Sequence, residues 1–313
     1  MNLSYLVAKL LRLLVTMLLA VTFVFVVLRL SGDPVVALIP PDLPDDIIDE
    51  YRRRLGLDGP IWQQYLGYLG NVLRGEFGYS FRTAGPAADL VASRIGPTLV
   101  LGGLALGFAL LVGIPLGIAA AVNRNRPADR LIMGFAVFGF AMPNFFLGIL
   151  LILLFTLSLQ WLPSAGWDGW RNLIMPVATL GLATAGSFAR FTRSAMLEVL
   201  GAQYMLTAKA KGVSPRQRLL GHAFPNAAIP LVTLLGFSIG TMVAGAVVTE
   251  TVFAWPGVGR LLVISVAERD LAVVQLIVIL VALTMSLANL AVDIAYGLID
   301  PRIRASRDQE GGR

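Results

Sequence analysis

The sequence predicts an all-α, polytopic membrane protein with six transmembrane helices and a small helical segment outside the membrane. Of its 313 residues, 57% are hydrophobic and 14% are charged, and the mean hydropathy is +0.76, which is too apolar for a soluble domain. At ~1.5 Å rise per residue, six apolar runs can each cross a hydrocarbon core of ~30 Å, the first once its flanking arginines snorkel. These runs are residues 13–28, 97–123, 131–168, 172–189, 226–249 and 271–292.

Local features refine several of these runs. No A-x-A-like cleavage site follows the first run, so we interpret residues 1–30 as a retained first transmembrane helix. The third run is overlong, and Pro143 followed by Asn144 predicts a kink within it. Glycines four residues apart allow helix backbones to approach closely. Such pairs are Gly103/Gly107, Gly113/Gly117 and Gly236/Gly240.

The placement of lysine and arginine predicts the orientation. Residues 1–12, 123–130, 190–226 and 293–313 together carry 15 of these side chains, whereas the two short loops of the other side carry 3. Because cytoplasmic loops hold the excess of positive charge, we expect both termini to be cytoplasmic. The predicted divisions are a first helix (1–30), an extracytoplasmic helical segment (31–97), a five-helix core (98–295) that includes a cytoplasmic loop (190–226), and a cytoplasmic tail (296–313).

The extracytoplasmic segment is expected to hold two short helices. Residues 44–55 begin with aspartates and end with arginines, which complements a helix dipole, and Gly56 stops the pattern. Residues 60–73 place Trp62, Tyr65 and Leu69 on roughly one face. We interpret the segment as a cap on the outer ends of the spans.

A basic elbow, defined here as residues 204–225, joins the fourth and fifth runs. One stripe of its first predicted helix carries Tyr204, Thr207, Ala208 and Lys211. Gly212 then stands where a C′ glycine would turn the chain through positive φ.

A second helix is predicted to follow that turn at once. Ser214 can cap it, Pro215 suits its first turn, and Gln217 completes an S-x-x-Q capping box. Pro225 is expected to end this helix, because the residue before a proline is pushed out of the α region. Asn226 is then free to cap the fifth run.

The elbow resembles the EAA loop of ABC-importer permeases, whose pattern is E-A-A, three residues, Gly, nine residues and I-x-L-P. Ala208, Gly212 and Pro225 match it, whereas Leu206 replaces the acidic first residue. The form Y-M-x-T-A-x-A-K-G-V-S is similar to the dipeptide, oligopeptide, nickel and glutathione branch, in which that glutamate is commonly missing. The resemblance runs through nearly the whole chain and implies a permease subunit with the MetI-like fold of type I importers.

The resemblance also implies partners. Two ATP-binding subunits would bind ATP and magnesium, so that this chain is non-catalytic and holds no cofactor. A second homologous permease, an extracytoplasmic substrate-binding protein and membrane lipid complete the assembly in a bacterial inner membrane, with no role for nucleic acid. The substrate implied is a dipeptide, an oligopeptide or a small peptide such as glutathione, with nickel or another non-peptide solute as the alternative.

The resemblance assigns roles to two sets of residues. The residues implied to dock on the ATPase are Tyr204, Thr207, Ala208, Lys209, Lys211, Gly212, Val213, Ser214 and Pro215. A glutamate, a phenylalanine and PG-x-G recur before the last span of the family, which makes Glu250, Phe253, Pro256 and Gly257 candidates for an outer gate. Asn144 and Asn289 are polar at membrane depth and are pathway candidates, although helix-to-helix hydrogen bonding is the commoner use. Residues 31–97 would either cap the spans or contact the binding protein.

Two other function classes compete. Ser238 lies in a G-x-S-x-G sequence, as in a rhomboid-like intramembrane protease, but the one histidine, His222, precedes it by 16 residues, ~24 Å along a helix. A secondary transporter is disfavoured because the second to fifth runs lack a charged residue in their core, which ion coupling usually needs. With no cysteine and one histidine, no metal site is expected.

Overall fold

The described part of the chain, residues 3–30, 50, 58–80 and 82–299 of a computed structural model, is helical and contains no β-sheet. Short turns join most of its helices, and two helices contain π-helical segments. The elements are α1 (Leu3–Leu30), α2 (Ile61–Arg74), α3 (Ala87–Val122), α4 (Pro127–Ala141), α5 (Asn144–Leu151), π1 (Ile152–Ser158), α6 (Arg171–Leu200), α7 (Gln203–Ala210), α8 (Pro215–Gln217), π2 (Arg218–Ala223), α9 (Phe224–Gly245), α10 (Val247–Val252), α11 (Val258–Ala267) and α12 (Leu271–Ile299).

Among the described residues, five helices are long and apolar enough to cross a membrane, and a bent pair makes a sixth if it counts as one span. The predicted all-α, multi-span architecture is confirmed. Large apolar side chains such as Leu14, Leu111 and Phe138 are more than half exposed on the outside of the bundle, where lipid is their natural solvent. The five single spans are Val7–Val27, Ala87–Val122, Arg171–Leu200, Pro215–Met242 and Leu271–Val292.

The bent pair consists of α4 and the helix formed by α5 and π1, which meet at 101°. The break lies at Pro143, where the sequence predicted a kink, but the bend is large enough to divide the run into two helices. Met142 adopts an extended conformation with ψ of 125°, as expected for a residue before proline. Pro143 and Asn144 therefore lie at a corner within the bundle.

Helix boundaries differ from the predicted runs. α3 begins at Ala87, ten residues before the predicted start, and Pro97 lies inside it together with Pro115. Both prolines remove a helical hydrogen bond, but neighbouring helices support the chain on either side. The predicted boundary at residue 97 therefore cuts through a helix. α6 likewise continues to Leu200, well into the segment predicted as a loop.

α3 and α6 pack closely and run parallel at the centre of the bundle. A Cβ atom added to Gly113 would lie 2.5 Å from the carbonyl oxygen of Ala185, and one added to Gly117 would lie 2.5 Å from that of Ala189. Such a separation is too short for any side chain, so these two glycines set the distance between the helices.

The other two glycine pairs differ from each other. Side chains at Gly236 and Gly240 would collide with Val292 and crowd Ala288 of α12, so this pair also marks a close helix contact, as predicted. The prediction is wrong for Gly103 and Gly107 within the described part of the chain, where no heavy atom lies within 4 Å of a Cβ built at either position.

Two buried clusters mark opposite ends of the bundle. At the end that holds the loop before α12, called the loop end below, Ala87 of α3 packs with Val258 of α11 and Val273 of α12. At the elbow end, Ala121 of α3 packs with Met196 of α6. Ala87 and Ala121 are 34 residues apart along one helix, ~50 Å at ~1.5 Å per residue, which exceeds a hydrocarbon core of ~30 Å. The two ends therefore lie on opposite sides of a membrane-thick slab.

Only the second predicted short helix of residues 31–97 falls within the described residues. It is α2, bounded within one residue as predicted, and it packs on α1. Tyr65 Oη lies 2.6 Å from Thr22 Oγ1, and its ring makes an edge contact with Phe25. The predicted helix at residues 44–55 and most of the predicted tail lie outside the described residues.

Candidate functional site

The turn of the elbow is a Schellman motif. The N–H of Gly212 donates to the carbonyl of Lys209 at 3.0 Å, and the N–H of Val213 donates to that of Ala208 at 3.1 Å. Gly212 has a φ of +78°, which only glycine adopts without strain. The predicted C′ glycine is therefore confirmed, and the direction in which the chain leaves α7 is fixed by two hydrogen bonds.

The next helix begins as predicted. Ser214 Oγ accepts a hydrogen bond from the N–H of Gln217 at 3.3 Å, and Pro215 occupies the first helical position. Residues 211–214 separate the two arms of the elbow, and the Schellman turn and the Ser214 cap fix the conformation of this short connection.

The prediction that Pro225 ends this helix is wrong. The chain continues through π2 into α9, and Pro225 lies in the first turn of α9. The change from π to α register falls where the helix already lacks a donor, because proline has no N–H. Asn226 does not cap a new helix either, since its Nδ2 donates to the carbonyl of His222 at 2.7 Å.

Met205 anchors the elbow to the bundle. Its side chain is 6% exposed and belongs to the buried cluster that holds Ala121 of α3, Met196 of α6 and Ala223 of π2. The neighbouring Leu206 is 66% exposed, so two adjacent apolar residues face opposite ways. The sequence reasoning missed Met205 because nothing local distinguishes it from Leu206.

The opposite face of the elbow is exposed and basic. Residues 203–223 contain no acidic side chain, whereas Lys209, Lys211 and Arg216 are exposed. A cleft of about 550 Å³ lies between α7 and the second arm, and Leu206 and Leu220 are among the apolar residues that line it beside the basic groups. The predicted docking residues with exposed side chains are Tyr204, Thr207, Lys209, Lys211, Ser214 and Pro215.

An ion pair that the sequence reasoning missed lies near the elbow end. Arg193 of α6 donates through Nε and Nη2 to the two carboxylate oxygens of Asp129, at 2.6 and 2.7 Å. Asp129 is 3% exposed and also accepts the N–H of Asn125 at 2.9 Å. This two-pronged contact fixes the turn before α4 to α6. The partners are 64 residues apart, so no local pattern links them.

At the loop end, the carboxyl group of Glu250 is fully buried and hydrogen-bonded. Its Oε1 accepts from Thr98 Oγ1 at 2.6 Å, and its Oε2 accepts the N–H of Arg260 at 2.9 Å. Thr98 Oγ1 in turn accepts the N–H of Val258 at 2.8 Å. Burial raises the pKa of Glu250, against the lowering effect of these donors. We call Thr98, Glu250, Val258 and Arg260 the Glu250 cluster.

The rest of the predicted gate packs around that cluster. A side chain at Gly257 would overlap the carboxyl group of Glu250, so only glycine fits. Phe253 is buried, and a Cβ at Gly148 of α5 would lie 3.2 Å from its ring. Trp255 Nε1 donates to the carbonyl of Pro97 at 3.0 Å. Of the four gate candidates, Pro256 alone is half-exposed; the other three are buried.

A central cavity of about 470 Å³ lies between α3, α6, α9 and the corner of the bent pair. Asn144, predicted as a pathway residue, lines it. The four gate candidates do not, and Asn289 lies instead in a separate cleft between α1 and α12, beside Lys9 and Arg12. The polar side chains that line the central cavity are Asn144, Thr184, Ser187, Ser238 and Thr241.

Ser238 has no catalytic partner among the described residues. Its hydroxyl donates to the carbonyl of Leu234 at 2.8 Å, and His222 lies at the elbow end of the same continuous helix. The protease hypothesis therefore has no support. Residues 3–30, 58–80 and 82–299 also contain no group of acidic or histidine side chains able to hold a metal ion.

Comparison with known sequences gives matches along 96% of the chain. The family model described as "Binding-protein-dependent transport system inner membrane component" matches residues 113–305. The chain is 44% identical over 303 residues to the glutathione transport system permease protein GsiC of Escherichia coli strain K12, covering 96% of this chain and 99% of that protein. It is 45% identical, with the same coverage, to the protein of that name from Salmonella paratyphi A.

Comparison with solved structures gives the fold. The chain is similar to a chain of the inward-facing MetNI methionine ABC transporter, with a TM-score of 0.59 and 20% identity, covering 67% of this chain and 96% of that chain. A second crystal form of the same transporter gives a TM-score of 0.57. This likeness shows the fold that the sequence predicted.

Proposed function

Because this chain belongs to the family of binding-protein-dependent transport system inner membrane components, we propose that it forms half of the conduit for small peptides, including glutathione, in an ATP-driven importer. Its similarity along 96% of its length to a glutathione transport permease supports this class of solute. One structural observation carries the mechanism: an exposed basic elbow is anchored, through Met205, in the same buried cluster as the ends of α3 and α6.

We place the elbow end in the cytoplasm, together with both termini. The cleft between α1 and α12 brings Lys9 close to Asn289, so the start of α1 and the end of α12 lie at one end of the bundle. The excess of lysine and arginine in the segments at this end supports a cytoplasmic location. Two ATPase subunits, which bind ATP and magnesium, then meet the elbow, and a substrate-binding protein meets the loop end.

The elbow suits the transmission of motion. The Schellman turn and the Ser214 cap hold the connection between its arms in one conformation, so a displacement of α7 by an ATPase moves π2 as well. Met205 passes that displacement to α3 and α6, because all three share one buried cluster. A packed cluster shifts between discrete arrangements and does not absorb strain smoothly. The two permease subunits would thereby alternate between states open to either side.

We assign the role of outer gate to the loop before α12. Glu250, Phe253 and Gly257 hold the loop against α3 and α5, while Pro256 stays half-exposed. Because Phe253 packs on Gly148 beyond the corner of the bent pair, a change in the bend moves the loop. The gate residues thus act as a rigid cover and not as a lining of the conduit.

The central cavity favours a peptide over a bare metal ion. Its described lining contains no carboxylate, imidazole or thiolate, which are the groups that bind nickel. A metal would therefore cross only within an organic chelate. This observation argues against a bare nickel ion as the solute.

Two elbow variants test the proposal in the complete transporter. Lys211→Glu reverses an exposed charge, and Gly212→Pro cannot adopt a φ of +78° and loses the hydrogen bond to Lys209. We expect both to insert normally into the membrane while uptake falls at least about tenfold, since each disturbs the docking surface by more than ~1.4 kcal/mol.

The matched control is Arg126→Glu, which reverses an exposed charge near the same end of the bundle but outside the elbow. We expect it to retain uptake and the ATPase in co-purification. Normal uptake by both elbow variants would rule out the coupling role.

A further inference from the structure

We propose that the central cavity is a transit subsite that accepts hydrogen bonds from the backbone N–H groups of the passing peptide. The inference rests on the proposed function and names the chemistry by which the conduit holds its solute. At about 470 Å³, the cavity is within the ~300–1,000 Å³ range of small-molecule sites.

The four hydroxyl groups that line the cavity donate hydrogen bonds within their own helices. Each donates to the carbonyl oxygen four residues earlier in its own helix. The four bonds are Thr184 to Leu180 at 3.1 Å, Ser187 to Ala183 at 3.4 Å, Ser238 to Leu234 at 2.8 Å, and Thr241 to Phe237 at 3.0 Å.

These bonds determine which hydrogen-bonding groups the cavity wall presents to a solute. A hydroxyl has one hydrogen and two lone pairs, so while these intrahelical bonds hold, each of the four groups accepts a hydrogen bond and does not donate one to the cavity. Two of them come from α6 and two from α9, so acceptors line the cavity from two helices. The wall therefore matches a solute that carries N–H donors.

Asn144 is the exception among the polar lining groups. Its side chain forms no hydrogen bond within the described part of the chain, and it lies at the corner of the bent pair. An amide can both donate and accept, so Asn144 can pair with a peptide carbonyl while the hydroxyls accept N–H groups. An extended peptide has both groups in alternation.

The cavity also lacks charge. No charged side chain is among the described residues that line it, so the termini of a peptide find no ion-pair partner there. Neutral hydrogen bonds contribute only about 0.5–1.5 kcal/mol each. Weak, repeated contacts suit a conduit, because a solute must leave as readily as it enters.

The test is uptake of alanyl-alanine into proteoliposomes that hold the complete transporter, with ATP and the binding protein supplied. Thr184→Val and Thr241→Val keep the side-chain shape but remove the acceptor, and we expect each to lower the initial rate about fivefold, as the loss of one such bond implies. Thr184→Ser restores the acceptor, and we expect it to recover most of the rate.

Thr284→Val is the matched control. Thr284 of α12 is also half-buried and donates to the carbonyl four residues earlier, Leu280, but it does not line the central cavity. We expect wild-type uptake from this variant. If Thr184→Ser is as slow as Thr184→Val, or if both valine variants transport at the wild-type rate, the acceptor role is overturned.

A depsipeptide, in which an ester oxygen replaces the peptide N–H, tests the ligand class. Comparing each variant with wild type for the same solute cancels the preference of the binding protein. The valine variants should slow the peptide about fivefold and the depsipeptide hardly at all; equal slowing of both overturns the inference. A wild-type transporter that imports no peptide with ATP present would instead overturn the proposed function itself.

Discussion

Glu250 is the side chain that holds the loop before α12 in place. Its two carboxylate oxygens accept from Thr98 Oγ1 and from the N–H of Arg260, while Thr98 also accepts from Val258. One threonine hydroxyl thus connects α3, the carboxylate and the start of α11. A buried carboxylate is costly unless its hydrogen bonds are satisfied, so this cluster stabilises one loop conformation strongly over others.

Thr98→Val tests that connection. The change keeps the shape of the side chain but leaves Glu250 Oε1 and the N–H of Val258 buried without their partner, so we expect a loss of about 2–4 kcal/mol in the free energy of unfolding. Thermal unfolding of the purified complex measures it. Thr251→Val is the control: its exposed hydroxyl donates to the carbonyl of Val247 within the same helix, and we expect a change within ~0.5 kcal/mol.

The pH dependence of stability tests the burial of Glu250. Burial raises the pKa of this carboxyl group in the folded protein above its value in the unfolded chain. Its contribution to stability is therefore fully present below the ordinary glutamate pKa and is lost as the pH rises through the raised value. We expect the melting temperature to fall across that window and Glu250→Gln to flatten the fall. An unchanged slope in that variant would contradict the assignment.

At this scale, the sequence predicts what is local. Gly212 and Ser214 follow from signals within four residues, and the structure has both as predicted. Met205, Thr98 and the Asp129–Arg193 pair could not be found this way, because each depends on a partner far along the chain. The family resemblance identified Glu250, but it did not identify Thr98, the hydrogen-bond partner of Glu250.

At the scale of elements, the parallel pair α3 and α6 forms the centre of the bundle. The two helices approach so closely at Gly113 and Gly117 that backbone atoms of α6 occupy the space of a Cβ. In a membrane, such close packing replaces the hydrophobic effect as the force between helices. The pair also joins the elbow cluster to the cavity, since both helices contribute to each.

Gly117→Ala should disrupt that interface. Its Cβ would lie 2.5 Å from the carbonyl oxygen of Ala189 and 2.6 Å from Thr192 Cβ, so the helices must separate, at a cost of about 1–3 kcal/mol. Thermal unfolding of the complex measures the loss. Gly107→Ala, on the same helix, meets no described heavy atom within 4 Å and should be neutral or slightly stabilising. Equal losses in both would refute the assignment of the interface.

The sequence predicts the existence of these helices better than their limits. Apolar runs identify each span because hydrocarbon demands them, but a span can continue into water without any change in its backbone. Pro97 and Pro225 were expected to start and to end helices, and the structure has them in a helix interior and in a first turn. Among the described prolines, Pro143 lies where the chain bends by 101° and divides one apolar run into two helices.

At the scale of the whole molecule, three features lie in order across the membrane-thick bundle: the elbow, the acceptor-lined cavity and the Glu250 cluster. The elbow and the cluster lie at opposite ends of α3, and the cavity lies between them beside the corner of the bent pair. Under the proposed function, energy enters through an ATPase subunit that docks on the elbow. This order is what an importer driven from one face and loaded from the other requires.

The most direct measurement of that claim is uptake of a small peptide by proteoliposomes of defined composition. With this chain, its permease partner, the ATPase subunits and the binding protein, the account predicts uptake only when ATP is present on the elbow face, with no response to an imposed ion gradient. Uptake by this chain alone, or uptake driven by a gradient without ATP, would contradict it.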